Sequence, residues 1–411
     1  MDSIPTNPAT IPPRILSERL LLLLLAAVQF THIMDFMVIM PLGPQLMREL
    51  GITPQQFGNL ISAFSLTAGV VGFAAAPFLD RFDRRKLLLF CYAGFAIGTL
   101  ACGLSHTVGM LMVSRALCGA FGGVSGATLM AIVADVVPPE RRARGMGIIM
   151  TAFSAAAALG VPFGLKLAQL WKWEAPFLTV AAIATVVWAL LWKVLPPVRG
   201  HLQDENGVAI SGTPKDFFRL LQDSNAWMGM LLMAMAIFGH FMVIPYLSPY
   251  LVQNVGIKEE DLFLVYLVGG LVTIFTGPRV GRLADRFGKL RVYRVLVICA
   301  AAIICFLTNT GPLSLWAVLV LAAFFFIFAS GRFIPVQATV SLAVPTARRG
   351  AYMSLISCCR DLAAGITAAF GSQVVAEGAD GKLLHFNWLG WIAISISVSS
   401  LLVFRKVRAV E

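Results

Sequence analysis

The chain has 411 residues, of which 58% are hydrophobic and 13% charged, with a net charge of +11 at pH 7 and a mean hydropathy of +0.82. A soluble domain carries roughly 25% charged residues, so this chain lacks the charge to coat a water-exposed surface. The positive excess does not point to nucleic acid, because it collects in alternate loops between apolar stretches.

Residues 1–19 open polar and proline-rich and read as a tail. The apolar run from Leu20 is long enough, at roughly 20 residues or more, to cross a hydrocarbon core of about 30 Å. It lacks the small-residue cleavage site of a removable leader, so it reads as a first span. Further apolar stretches bring the total to twelve spans, centred near residues 31, 67, 97, 121, 156, 184, 237, 270, 299, 326, 363 and 394. The chain then divides into an N-terminal tail (1–19), a six-helix bundle (20–195), a polar linker (196–223), a second six-helix bundle (224–404) and a short tail (405–411). The linker holds Gln203-Asp204-Glu205-Asn206-Gly207 and Ser211-Gly212-Thr213-Pro214, a turn-rich composition. A short amphipathic helix is expected around Pro214 to Leu221.

The two bundles repeat one another. Asp35-Phe36-Met37-Val38-Ile39 returns as His240-Phe241-Met242-Val243-Ile244, Gly51-Ile52 as Gly256-Ile257, and Asp80-Arg81-Phe82 as Asp285-Arg286-Phe287. Val137-Pro138 with Arg141-Arg142 answers to Val344-Pro345 with Arg348-Arg349. The offset of about 205 residues is far longer than the 20–50 of solenoid repeats. Duplicated membrane bundles are the architecture of transporters that rock one half against the other around a central site.

Basic residues gather at Arg81, Arg84, Arg85 and Lys86, at Arg141, Arg142 and Arg144, at Arg282, Arg286, Lys289 and Arg291, and at Arg348 and Arg349. The intervening loops carry little more than Arg48, Lys172, Lys258 and Lys382. By the positive-inside rule this places both termini in the cytoplasm. The seven cysteines all fall within spans and lack metal-ligand spacing, so they read as free thiols packing as small apolar groups.

Charges inside spans need water or a partner, since one at the bilayer centre costs about 2.5–3.5 kcal/mol or more. Asp35 lies one helical turn after His32, so both face the same side of the first span. A carboxylate taken out of water holds a proton more readily, which suits a proton carrier. The alternative is a capped polar residue near the helix end. Arg115, from its place in a span alone, reads as a structural arginine on backbone carbonyls. In the second half, His240 is the counterpart of Asp35, and Arg332, Arg360 and Asp361 add further charge. Asp361 is expected to pair with Arg332 or Arg360, as a structural pair or as part of a substrate cavity. Asp80 and Asp285 sit at span ends, with Arg81, Arg84 and Arg286 close by. They read as a latch made in one conformation and broken in another, or as solvated loop charges.

The duplicated loop Ala76-x-x-x-Asp80-Arg81-x-Asp83-Arg84-Arg85 and Gly281-x-x-x-Asp285-Arg286-x-Gly288-Lys289 resembles the loop 2–3 signature of the major facilitator superfamily. The first copy has Ala76 and Asp83 where that family usually has glycines. Leu111-x-x-x-Arg115-x-x-x-Gly119 is similar to the family's arginine motif, and Gly160-Val161-Pro162-Phe163-Gly164 to its antiporter glycine-proline motif. Asp35 with Pro41 resembles the drug/proton antiporters of the twelve-span type. The resemblance implies an all-α membrane protein of two pseudo-symmetric six-helix bundles, with proton-coupling residues Asp35, Arg115 and His32. It also implies a cytoplasmic gate at Asp80, Arg81, Arg84, Asp285 and Arg286, and a bending point at Gly160, Pro162 and Gly164. The substrate cavity is expected to hold Asp35, His240, Arg332, Arg360 and Asp361.

The expected function is secondary active transport of a small solute by alternating access, as proton-coupled efflux from a bacterial inner membrane. Its partners are then the solute, protons and the lipid bilayer, with no nucleic acid, no cofactor or metal, and a monomeric state. Two alternatives stand beside it: an importer or uniporter of an anionic or zwitterionic metabolite, and a non-transporting receptor or scaffold on the same fold. Enzyme chemistry is not expected, for want of a P-loop, a metal cluster or a nucleophile motif.

Overall fold

The structure is a computed structural model that describes residues 18–199, 220–345 and 348–410. Among the described residues, twelve helices are long and apolar enough to cross a membrane. The first half contains α1 (Glu18–Val38), α2 (Pro54–Ala75), α3 (Arg84–Gly103), α4 (Val108–Val136), α5 (Gly145–Leu170) and α6 (Ala175–Val194). The second contains α7 (Ser224–Gln253), α8 (Glu259–Phe287), α9 (Lys289–Thr308), α10 (Leu315–Val340), α11 (Arg349–Val374) and α12 (Phe386–Phe404). Their order and number match the expected spans. An antiparallel ribbon, Ala376–Glu377 with Leu383–Leu384, joins α11 to α12. The N-terminal tail to residue 17, and the linker from 200 to 219 with most of its expected amphipathic helix, lie outside the described residues.

Local sequence fixes several helix starts. At α2, the Thr53 hydroxyl accepts from Gln56 N at 3.2 Å while the Gln56 side chain accepts from Thr53 N at 3.0 Å. Two N–H groups that a helix start leaves unpaired are thus satisfied reciprocally. Thr107 does the same singly for α4, accepting from Met110 N, and Asp223 for α7, accepting from Asn225 N and Ala226 N.

The sequence repeat is also a conformational one. α1 ends at Val38 and a short helix, Gly43–Leu50, follows after a turn. α7 is interrupted at Met242 and Val243 before resuming at Ile244. Asp35 and His240 therefore each stand less than a turn before a break. Gly51 and Gly256, matched by the repeat, both take positive φ (61° and 84°), a conformation that costs glycine little.

The halves meet along α2 against α11 and α5 against α8, two interfaces that the duplication makes equivalent. Small residues bring the backbones together there. A Cβ on Gly270 would stand 2.3 Å from Ala158 Cα, and one on Gly69 would stand 2.7 Å from Leu362 N. Two helices carry π turns, Ala156–Gly160 in α5 and Phe326–Ser330 in α10. Such turns shift the side-chain register of the residues that follow. All seven cysteines are free, as expected, although Cys299, Cys305 and Cys359 are only half-buried.

Because the obstacle at Gly270 is backbone, Gly270→Ala is expected to lower the thermal midpoint of the purified protein clearly, by about 1–3 kcal/mol of stability. Gly277→Ala, whose Cβ would meet only Ile334 Cδ1 at 3.8 Å, should leave that midpoint within experimental scatter.

Candidate transport site and gates

Asp35 on α1 and Arg115 on α4 are both fully buried and face each other. Arg115 Nη1 donates to Asp35 Oδ2 at 2.7 Å and to the Asp35 carbonyl at 3.1 Å, and its guanidinium lies 4.5 Å from the Phe64 ring centroid. The pair is monodentate. Among the described residues Arg115 Nε and Nη2 make no hydrogen bond, so one guanidinium nitrogen carries the contact. A buried pair of this kind is finely balanced, since desolvation of both charges offsets their attraction.

His32 lies beside this pair in sequence and elsewhere in its contacts. Its ring packs edge-on against Phe95 at 4.2 Å and Tyr92 at 5.5 Å, both on α3, and its Nε2 is unpartnered. The structure therefore joins Asp35 to Arg115 and turns His32 toward the aromatic side chains of α3.

In the second half, Arg332 on α10 is also fully buried. Its Nη1 donates to Ser397 Oγ on α12 at 2.6 Å, and that hydroxyl passes its own proton bond to Ala393 O at 2.6 Å. Nε and Nη2 of Arg332 are unpartnered, as is Nδ1 of His240 on α7. His240 lies parallel to Phe325 at 6.0 Å and edge-on to Phe333 at 5.3 Å. Gly239 makes the room: a Cβ there would stand 2.3 Å from Ser397 Oγ and 3.3 Å from Arg332 Nη2. Asp361 pairs with its neighbour Arg360, Nε to Oδ1 at 3.1 Å, and not with Arg332. Arg360 is half exposed in the middle of α11, with a side chain 51% accessible. Ile366, exposed on the apolar side of α11, is turned about 240° from it. A charge at that depth needs water or a partner, and Asp361 supplies the partner.

At the end bearing the basic loops, Arg84 ties the α2–α3 loop to α4, reaching Asp135 at 2.7 Å and Ala131 O at 2.7 Å. Arg85 donates to Trp192 O on α6 at 2.7 Å. Asp83, in the place of a usual glycine, caps α3 through Arg85 N and holds the start of the linker through Val198 N and Arg199 Nε at 2.8 Å. Burial pushes the Asp83 carboxyl upward, but these three donors outweigh it and hold the group below the usual carboxylate range. In the second copy Asp285 and Arg286 are exposed, Arg286 over Phe287 at 5.2 Å, while Lys289 reaches Ala338 O at 3.4 Å. Arg81 leans over Phe78 at 5.4 Å.

At the opposite end, polar links run between the halves. Arg48 of the short helix pairs with Glu259 at the start of α8, and Gln169 of α5 donates to Glu259 O at 3.0 Å. The Glu259 hydrogen bond raises the basicity of Arg48 further. Ser372 of α11 donates to Asn59 of α2 at 3.2 Å. Sequence reasoning missed Arg48, Glu259, Asp135, Arg199 and Ser397 as partners. Arg48 and Arg199 carried no signal beyond loop charge, and Ser397 none beyond a hydroxyl in a span. At the glycine-proline motif, the π turn Ala156–Gly160 directly precedes Pro162. Gly160 and Gly164 pack against Phe30, Met34 and Val38 of α1.

The sequence profile of the Major Facilitator Superfamily matches residues 25–368. The chain belongs to the major facilitator superfamily. Within this superfamily it is 26% identical over 353 residues to a "Probable sugar efflux transporter" of Helicobacter pylori strain P12, covering 82% of this chain and 86% of that one. It is 23% identical over 355 residues to the "Uncharacterized MFS-type transporter YtbD" of Bacillus subtilis strain 168, covering 85% and 86%. In fold it is similar to a bacterial homologue of the human lysosomal transporter Spinster solved in an inward-facing and occupied conformation. That likeness has a TM-score of 0.72 at 16% identity over 95% of this chain and 96% of the other. The chain is accordingly an integral membrane transporter and not an enzyme.

Two outcomes are expected at these sites. Arg115→Gln alone strands a buried carboxylate and should destabilise the protein by about 3–5 kcal/mol, whereas Asp35→Asn with Arg115→Gln should recover most of that loss; thermal denaturation of the three proteins checks it. Asp83, held below its unfolded value of about 3.9, contributes stability that is present above about pH 4 and lost as pH falls through its folded value. The melting-point gap between wild type and Asp83→Asn should thus be constant from neutral pH to about pH 5 and close on further acidification.

Proposed function

We propose that this transporter exports a small solute in exchange for protons, working by alternating access in a bacterial inner membrane with both termini in the cytoplasm. The observation that carries this reading is the fully buried Asp35–Arg115 pair, joined through a single guanidinium nitrogen. A proton delivered to Asp35 removes its charge and releases Arg115 from the ion pair. Loss of the proton restores the attraction. α1 and α4 thus change their mutual affinity with each proton cycle, which is what coupling requires. Efflux is supported by similarity to the Helicobacter pylori sugar efflux transporters, and a sugar-like solute is the first class to test.

In this reading residues 20–195 and 224–404 move as two bodies joined by the linker 196–223. The cavity between them is lined by Asp35, His240, Arg332, Arg360 and Asp361, and His32 takes part in the proton path from the α3 side of α1. Arg48, Glu259 and Gln169 hold the outer end shut. Asp80, Arg81, Arg84, Asp285 and Arg286 form the cytoplasmic gate, made when the outer contacts part. The π turn and Pro162 of α5 supply the flexure between these states. The working unit is a monomer, since one chain supplies both halves of the cavity.

The test is proton movement in proteoliposomes carrying an imposed pH gradient, with a panel of sugars, cationic dyes, amino acids and organic anions. Wild type is expected to couple solute flux to proton flux, and Asp35→Asn to bind solute while moving no protons. Solute crossing equally in both proteins without proton movement would make the chain a uniporter and remove Asp35 from its role. Loss of the outer lock gives a second check. In Arg48→Ala, a cysteine placed at Asn59 should react faster with a membrane-impermeant thiol reagent from outside than in the wild-type background, and an unchanged rate would remove Arg48 from the gate.

A further inference from the structure

The two halves differ at one chemically decisive position. α1 and α4 carry Asp35 and Arg115, a carboxylate and a guanidinium that neutralise each other. α7 and α10 carry His240 and Arg332, and the repeat puts an imidazole where the first half has its carboxylate. Arg332 is as deeply buried as Arg115, yet among the described residues its only hydrogen bond goes to a neutral hydroxyl, Ser397 Oγ. Asp361, the acidic residue nearest in the sequence of the second-half spans, is engaged by Arg360. Burying an unpaired guanidinium is among the costlier things a chain can do. Its Nε and Nη2 still lack acceptors, and the Nδ1 of His240, on the helix that packs beside it, is unpartnered too.

We infer that Arg332, His240 and Ser397 form a binding site for an anion, whose charge replaces in the second half the carboxylate that Asp35 supplies in the first. The ligand chemistry is a small oxyanion or halide: a free inorganic anion, or the acidic group of the transported solute. The guanidinium offers Nε and Nη2 as a two-pronged donor, the geometry that matches a carboxylate or phosphate edge. His240 Nδ1, in the tautomer that carries a proton there, adds a third donor. Gly239 lets α7 pack closely on α12 beside the site, since any side chain there would press on Ser397 Oγ. The π turn Phe326–Ser330 ends two residues before Arg332 and sets the direction in which its side chain leaves α10. This inference rests on the reading of the central region as a solute path, while the site itself can be tested without transport.

The experiment uses the full-length purified protein in sodium HEPES, with sodium chloride, sodium gluconate or glucose as probes and the thermal midpoint as readout. Wild type should gain a saturable stabilisation of at least about 2 °C from chloride or gluconate, and none from glucose, which has the gluconate skeleton without its carboxylate. Stabilisation by chloride identifies a free anion, and stabilisation by gluconate alone identifies an acidic solute group. Arg332→Gln should lose the response and melt no lower than anion-free wild type, because it removes an unpaired buried charge. His240→Asp rebuilds the first-half pair in the second half, and it should raise the anion-free midpoint while abolishing the anion response. An absent response in wild type, or a response kept in Arg332→Gln or His240→Asp, overturns the proposal. Proton coupling is read separately through Asp35→Asn, so failure of that reading would leave the anion titration unaltered.

Discussion

A charge inside a hydrocarbon slab must find a counter-charge, water or a ligand, and the interior of this transporter is organised around that requirement. Arg115 finds Asp35, Arg360 finds Asp361, and Arg332 finds, among the described residues, only a serine hydroxyl. The rest of the fold makes these placements tolerable. Gly239 lets α7 pack closely against Ser397 and Arg332, and Phe64 covers the Arg115 guanidinium with its ring face. The attraction within the Asp35–Arg115 pair is then sensitive to one proton, because both side chains are fully buried and bulk water does not screen it.

Gene-scale duplication gives both halves the same scaffold, and the differences between copies give them different work. The breaks after Val38 and Phe241, and the positive φ of Gly51 and Gly256, show that the scaffold repeats in conformation as well as in sequence. The α2–α11 and α5–α8 seams are each other's counterparts, so the halves meet on a nearly symmetric surface. The ends of that surface are not equivalent. Arg48, Gln169 and Asn59 reach across it at one end, whereas at the basic-loop end Arg84 and Arg85 tie elements of the first half together and Asp83 holds the start of the linker.

The spans, their number and the duplication were legible in the sequence because each rests on local composition: an apolar run, a basic loop, a repeated five-residue block. Asp35 and Arg115 were legible as chemistry, since charge in a span is conspicuous, and the family resemblance set Arg115 beside a carboxylate; which carboxylate was not legible, because α1 and α4 meet only through the tertiary fold. His32 was assigned to the Asp35 face from helical spacing, and its contacts there are the rings of Tyr92 and Phe95. Spacing fixes where a side chain leaves the helix and not what fills the space around it. Arg48 with Glu259, and Asp83 with Arg199, join residues separated by 211 and 116 positions. Nothing local distinguishes them from other loop charges. The π turns also escaped, for they depend on how a helix is packed rather than on a signature of their own.

The central claim is that Asp35 takes up and releases the transported proton within its pair with Arg115. Difference infrared spectroscopy of the purified protein, recorded between neutral and acidic pH, reads this directly through the carbonyl band of a protonated carboxyl group. The account predicts a band that appears on acidification in wild type, changes on solute addition, and is missing in Asp35→Asn. A band of the same size in wild type and Asp35→Asn, or none that responds to solute, would contradict it.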